Sequence, residues 1–418
     1  MKKRKRCRIS VVETDDTDEV NQPPSAPRRL VTQLLDRRRS LSLPSHSAPL
    51  AQSESLDVWT LCDDYGEQDY ESMDDDVHRN AAYTRAFAAV SPRRDRWLEI
   101  GCGASATLTR LALASAPSGT TIAAFEVNPQ SAAAATAQLR RAGLAARATV
   151  VVGKSTQPEL LADPAEKFAA VLHEVFGIFA SSEGAPQMLG HARQQYLSGK
   201  HQKKGLIPSR CATFFTPCDL RPDSLDGCES LLCNSEGPQP KLLLAPAAPL
   251  DGIALCASSR AFEIYDCGAA MPLDTVQTKA HEFVVAKDGE LNCLGCFIWV
   301  DLGLGEPAPP SEDNDKEDED ESGFKSCFPF GDGSLPGGSG SKRRLNDFTS
   351  LCTEQTLRNS TYASNWQNPL LLLPTAACVR RGDRVCVTTV AAADTLTPSY
   401  RFDVIHHPGR HTSTPTAA

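Results

Sequence analysis

The sequence predicts a parallel, doubly wound α/β half followed by a mainly antiparallel β half, a barrel or sandwich. Two observations carry that expectation. Between Trp97 and Leu172, short apolar runs alternate with helix-compatible segments at the spacing of βαβ units. Beyond the Gly205-Leu206-Ile207-Pro208-Ser209 stretch, strand-like runs follow one another between turn signals such as Asp288-Gly289 and Gly382-Asp383. At 418 residues the chain has room for two cores.

Taken in order, residues 1–56 are rich in Pro, Ser and Arg and are expected to be disordered, with room for one transient helical turn at Leu30 to Leu35. The basic head, Lys2 to Arg8, suits an import signal, a phosphate-binding arm or a solvated tail. The first domain, 57–208, opens with an acidic helix-permissive segment. There Met73, Asp76, Arg79 and Tyr83 recur at i, i+3, i+6 and i+10, close to one helical face and too polar to be only core.

The strand Trp97 to Ile100 leads into Gly101-Cys102-Gly103-Ala104-Ser105-Ala106 and a helix through Leu113. A second strand, Thr121 to Phe125, ends in Glu126, and an Ala-rich helix runs from about Ser131 to Ala142. A third strand, Ala148 to Val152, delivers Gly153-Lys154-Ser155-Thr156, and a fourth, Phe168 to Leu172, delivers His173-Glu174. In the second domain, 209–418, Glu282 to Ala286, Cys296 to Val300, Leu370 to Leu373 and Val385 to Val390 read as strands. Two insertions interrupt it. One, about 218–252, is rich in Cys, Pro and Leu. The other, 304–345, carries eight acids between Glu312 and Glu321 and is expected to be a disordered, solvated loop.

The net charge of −9 is segregated between that run and the basic head, so it does not mark the whole chain for direct nucleic-acid binding. Of 15 cysteines only Cys293 and Cys296 form a CxxC, without a second pair at zinc-ligand spacing; free buried thiols in a strand are expected, and no metal site. No apolar run approaches the ~20 residues of a membrane span, and no secretory apolar region follows the basic head. A reduced compartment is therefore expected, cytoplasmic and in part nuclear.

The chemistry centres on Glu174 and Glu183, nine residues apart in a segment otherwise poor in charge. On a regular helix nine steps turn through about 900° and the two would face opposite ways. They converge only if the segment folds back as a loop, which Gly177 and Gly184 permit. Two acidic arms at the carboxyl end of a strand suit a cation. Upstream, the Gly101-Cys102-Gly103 turn and the strand-ending Glu126 suit a nucleoside cofactor, with Glu126 accepting from ribose hydroxyls; NAD and S-adenosylmethionine both fit. Arg79 offers a bidentate partner for the carboxylate of a methionyl group, and paired glutamates have no evident task in hydride transfer. Those residues favour S-adenosylmethionine and a cationic substrate.

Together these motifs resemble the protein arginine methyltransferases, from about Tyr70 to Pro217 and more faintly to His406. The pattern MxxDxxRxxxY is met by Met73, Asp76, Arg79 and Tyr83; the Gly turn, Glu126 and the two glutamates follow in the family's order. Arg79-Asn80, Lys154-Ser155-Thr156, Glu183-Gly184-Ala185 and His191-Ala192 look most like the monomethylating, type III branch. The resemblance implies an S-adenosylmethionine-binding Rossmann-like domain, then a β-barrel with a dimerisation arm, which the 218–252 segment could contain.

It also implies roles. Arg79 binds the cofactor carboxylate, Gly101 and Gly103 its methionyl part, Glu126 the ribose, and Ser155 and Thr156 line the adenine. Glu174 and Glu183 clamp the substrate guanidinium, Met73 limits room at the accepting nitrogen, and Asp76 assists proton loss. Asn365 and Trp366 stand where the family has a Thr-His-Trp loop, Trp366 against the substrate and Asn365 at a catalytic position, able to hydrogen-bond a carboxylate but not to accept the reaction proton usefully. Ser105 replaces a usual glycine, and His173 a small Ser or Thr. The implied activity is transfer of one methyl group to arginine in basic proteins such as histones and RGG-type RNA-binding proteins, by a homodimer. The other class of reading is a catalytically silent regulatory or scaffold subunit.

Overall fold

A computed structural model describes residues 28–34, 73–90, 95–199, 205–221, 229–230, 242–245, 253–268, 275–302, 350–352, 368–396 and 398–409. The first half is a five-stranded, wholly parallel sheet. Its strands are β2 (Arg96–Ile100), β3 (Thr121–Glu126), β4 (Ala148–Val152), β5 (Ala170–His173) and β6 (Leu206–Ile207), in spatial order β4-β3-β2-β5-β6. The chain steps outward from β2 to β4, then returns to lay β5 on the other side of β2. That reversal leaves a crevice beyond the carboxyl ends of β2 and β5, where open α/β sheets bind ligands. In register, Ile100 pairs with His173, so the Gly turn and Glu174 leave neighbouring strand ends together.

Among the described residues four α-helices accompany the sheet: α1 (Val77–Val90), α2 (Thr107–Ser115), α3 (Pro129–Arg141) and α4 (Ala185–Gln195). Two of the starts have a side-chain cap. In α3, Pro129 occupies the first turn and the Asn128 side chain accepts from the Gln130 and Ser131 amides at 2.8 and 3.2 Å. In α1, Asp76 Oδ1 accepts from the Arg79 N–H at 2.9 Å, as an N-cap does. The expected single face Met73–Asp76–Arg79–Tyr83 is therefore broken: 73–75 form a separate helical turn, and α1 begins after Asp76. A capping carboxylate stops the helix that simple periodicity continued. Ala82, Tyr83, Ala86 and Phe87 of α1 join Trp97, Phe125, Leu172 and Tyr196 in the first core.

The second half is antiparallel. A four-stranded sheet has the order β1-β16-β15-β11, from Arg28–Leu34, Ser399–His407, Arg384–Ala392 and Val276–Val284. A larger sheet runs β10-β7-β12-β14-β9-β8, from Arg260–Asp266, Arg210–Cys218, Gly289–Asp301, Asn368–Val379, Leu242–Ala245 and Glu229–Ser230, with β13 (Ser350–Cys352) beside β12. Their inner faces share a core in which Phe262 lies 5.0 Å from Phe402, 5.3 Å from Phe179 and 6.1 Å from Phe215, ring to ring. Cys293 and Cys296 lie in β12 as buried free thiols, as the strand reading expected.

One expectation needs correction. Arg28–Leu34 is a strand, not part of a disordered stretch or a helical turn, and pairs with the whole of β16 from Arg28↔His406 to Leu34↔Tyr400. Its partner lies at the far end of the chain, so local composition held no sign of the ladder. Within 218–252, β9 pairs with β14 and so extends the larger sheet. The 304–345 insertion lies outside the described residues. Among the described residues no helix is long and apolar enough to cross a membrane.

Phe262→Ala is expected to lower stability by about 3–5 kcal/mol, because it empties the centre of the second core. Urea denaturation monitored by tryptophan fluorescence measures this.

Candidate functional site

The Gly turn is built by two left-handed glycines. Gly101 has φ 71° and Gly103 φ 61°, which only glycine adopts at little cost. The turn is pinned to β3 by the amides of Gly101 and Cys102, which both donate to the Phe125 carbonyl at 2.9 and 3.1 Å. Ser105, at the position of a usual glycine, is not left-handed; the positive φ falls on Ala106, at 47°. A side chain at 105 is therefore tolerated by the backbone. Glu126 closes β3 and receives the Gly103 amide at 2.8 Å on one oxygen and the Asn128 amide at 2.9 Å on the other. Burial raises its pKa, and those amides work against the rise. A carboxylate offers about four acceptor sites, so capacity for hydroxyl donors remains.

After β5 the chain runs out through Glu174 and folds back to Glu183. The reversal is closed at 179–182, where the Ser182 amide and hydroxyl both donate to the Phe179 carbonyl, at 3.1 and 3.0 Å. Gly177 allows the two arms to pass closely: a Cβ there would strike Ser182 Oγ and come within 3.1 Å of Glu183 Cγ. Gly184, at φ 81°, then opens α4. Both glutamates face one cleft, as the fold-back reading required.

That cleft has an empty volume of about 1180 Å³ including its open mouth, and it lies at the reversal point of the sheet. Arg79, Gly101, Gly103, Glu126, Ser155, Thr156, Glu174, Glu183 and Met73 all line it. Arg79 Nη2 donates to Glu174 Oε2 at 2.9 Å, and Nη1 donates to the Met73 carbonyl and to Asn80 Oδ1. Burial disfavours the Arg79 charge, but Glu174, together with Tyr83 and Asp76, outweighs it and holds its pKa above the ordinary value. Burial likewise raises the Glu174 pKa, against the pull of Arg79. Glu174 thus already accepts a guanidinium through one oxygen.

Other residues came from no motif. Asp74 lines the cleft and accepts from Thr107 of α2, while Asn80 Nδ2 donates to its carbonyl at 2.8 Å. Leu396 reaches in from the antiparallel half and fills the space beside Gly184. Glu99, on β2, accepts from the Thr109 hydroxyl, and burial pushes its pKa up to about 8. The sequence does place Glu99 two residues before the Gly turn, but nothing in spacing alone assigns it to the cleft.

Asp76 is not among the lining residues; it caps α1 behind Arg79. Asn365 and Trp366 lie outside the described residues. His173 is fully buried, donates from Nε2 to the Pro208 carbonyl at 2.8 Å and does not line the cleft. Burial pushes its pKa down to about 4, so it is neutral near pH 7.

The cleft suits an S-adenosyl group on two grounds. Arg79 Nε and Glu99 Oε1 are buried polar atoms without hydrogen-bond partners among the described residues. Glu126 keeps acceptor capacity beside a turn with no side chain at Gly101 or Gly103.

No family model matches the sequence, and no curated protein does either. Solved structures do. One is the Trypanosoma brucei PRMT1 enzyme–prozyme heterotetrameric complex with AdoHcy, at 14% identity and TM-score 0.53, covering 77% of this chain and 87% of that one. Another is Arabidopsis thaliana protein arginine methyltransferase 10 in an open conformation, at 13% identity and TM-score 0.55, covering 82% of this chain and 94% of that one.

Glu99 yields a pH prediction. Its carboxyl binds a proton more tightly folded than unfolded, so between about pH 4.5 and 8 the native state holds the extra proton and stability falls as pH rises. Glu99→Gln is expected to flatten that fall, as read by denaturation midpoints at pH 5 and pH 8.

The parallel crevice and the antiparallel half behind it give this chain the two-part fold of the protein arginine methyltransferases, a Rossmann-like sheet followed by a β-barrel.

Proposed function

We propose that the chain is an S-adenosylmethionine-dependent protein arginine N-methyltransferase that forms ω-monomethylarginine. One observation carries the reading: Arg79, Glu126, Glu174 and Glu183 line a single cleft, and Glu174 there already holds a guanidinium.

When bound, S-adenosylmethionine supplies an electrophilic methyl group. Arg79 would orient its carboxylate, Glu126 its ribose, and Ser155 and Thr156 its base. Arginine stays protonated in proteins, so no base prepares a neutral nucleophile in advance. Glu183 and the remaining oxygen of Glu174 would instead accept from the substrate guanidinium and draw its charge toward the bonded nitrogens. The free terminal nitrogen regains lone-pair density and is held in one orientation. Alignment of this kind accounts for up to about 7–11 kcal/mol of barrier lowering. The departing proton passes to the carboxylate pair or to water. Asp76, which caps α1 and acts electrostatically on both Arg79 and Glu174, would assist that proton loss directly or through a water.

The monomethyl reading rests on the type III-like residues and on Met73, which lines the cleft with Glu174 and would limit room at the accepting nitrogen. Basic, Arg- and Gly-rich segments of histones or RNA-binding proteins are the proposed substrates. Homodimerisation is proposed alongside them.

The test incubates the chain with S-adenosylmethionine and an RGG peptide and reads intact mass. A single methyl increment is expected, with Glu183→Ala at least about 100-fold slower. Undiminished transfer by Glu183→Ala overturns the clamp, and two increments on one arginine overturn the monomethyl reading. S-adenosylhomocysteine binding without transfer by wild type favours a catalytically silent subunit.

A further inference from the structure

Glu263 on β10 is a carboxylate with no exposed surface, placed in the antiparallel half and outside the residues that line the cleft. It is turned toward the loop that carries Glu183. Its Oε1 accepts from the Ser181 amide at 3.2 Å and from the Thr213 hydroxyl at 2.5 Å. Its Oε2 accepts from the Ser181 hydroxyl. Two further bonds complete the set: Ser181 Oγ meets the Tyr400 hydroxyl at 2.7 Å, and the Ala180 amide donates to Thr213 Oγ1 at 2.8 Å.

With Glu263 ionised, the direction of every proton follows from the carboxylate. An ionised carboxylate only accepts, so Ser181 and Thr213 must both donate to it. The Ser181 proton is then committed, and Tyr400 must be the donor to Ser181 Oγ. The Thr213 proton is committed too, which leaves its oxygen free to receive the Ala180 amide. With Glu263 ionised this arrangement satisfies all five bonds, and the Ser181 and Thr213 donors work against the burial that raises its pKa.

The consequence reaches the cleft. Ser181 stands two residues before Glu183, and the Gly184 amide donates back to the Ser181 carbonyl at 2.8 Å. Other contacts of this arm point the same way. Phe179 packs 4.7 Å from the Tyr400 ring, Gly184 abuts the Leu396 backbone, and Gln187 Nε2 donates to the Ala393 carbonyl at 3.2 Å. The Glu174 arm, by contrast, is held by Arg79 beside α1. The two carboxylates of one clamp are thus anchored by opposite halves of the chain.

We infer that Glu263 is a positioning residue for the guanidinium clamp, acting through Ser181 to set where Glu183 stands relative to Glu174. This rests on the methyltransferase reading for its consequence in catalysis, though not for its consequence in loop order.

The test compares full-length Glu263→Gln, Ser181→Ala and the double variant. Each single change is expected to lower kcat by roughly 10- to 100-fold, the range for small misplacement of a reacting geometry. S-adenosylhomocysteine affinity, measured by calorimetry, stays at the wild-type value. Because Glu263 acts through Ser181, the double variant is no slower than the slower single. Amide hydrogen exchange over 179–184 speeds up in all three. Multiplying losses, unchanged kcat, or loss of cofactor affinity in step with kcat each overturn the inference. If Glu263→Gln does not fold, Ser181→Ala and Tyr400→Phe, which removes a single hydroxyl, carry the comparison. If wild type transfers no methyl group, the methyltransferase reading fails by itself. The exchange of 179–184 then decides the positioning role, and exchange at the wild-type rate overturns it.

Discussion

A guanidinium and a carboxylate out of water, Arg79 on Glu174 at 2.9 Å, join the start of α1 to the end of β5. Removing two charges from water is costly, and such a pair persists only where other donors and acceptors complete it. Here the Met73 carbonyl and Asn80 take up Nη1, while the Arg79 amide is tied to Asp76. The pair therefore fixes the turn carrying Met73 and Asp74 over the cleft. The Asp74 bond to Thr107 and the Tyr83 hydroxyl on the His173 carbonyl hold the same wall against the sheet.

The sheet supplies the other constraint. Parallel pairing of β2 with β5, at the point where strand order reverses, sets a glycine turn beside a glutamate loop. Backbone amides and carboxylates then face a common space without any local sequence signal joining them. Glu126 shows how closely this is built, since its two oxygens bind the amides of the turns on either side. The antiparallel half closes the remaining side through Leu396 and through the buried hydroxyl network around Ser181. Chemistry that depends on the angle between two carboxylates thus depends on how the two halves are docked.

Much of the site was legible because its residue types are constrained by their neighbours. Gly101, Gly103 and Gly184 occupy left-handed conformations, so their identity follows from the backbone path. Gly177 is glycine for a different reason, the close passage of Ser182 and Glu183. The strands at Thr121, Ala148 and Arg384 were readable from apolar runs bounded by turns. Asp76 fits by spacing both a catalytic face and a helix cap, and its bond to the Arg79 amide shows the cap. Arg28–Leu34 was missed because a strand paired across nearly the whole chain leaves no mark in a local window.

The amino-acid order by itself determined the alternation of strands and helices, the glycine turns and the presence of Glu174 and Glu183 on one loop. Backbone sterics and hydropathy act over a few residues, and those features need no more. Tertiary structure alone decided that Glu99 lies buried at the cleft with an orphaned oxygen, that His173 turns away from it, and that Glu263 reaches the loop from 82 residues downstream of Ser181. These depend on which buried groups find partners across the fold, and that matching appears only once both cores are closed.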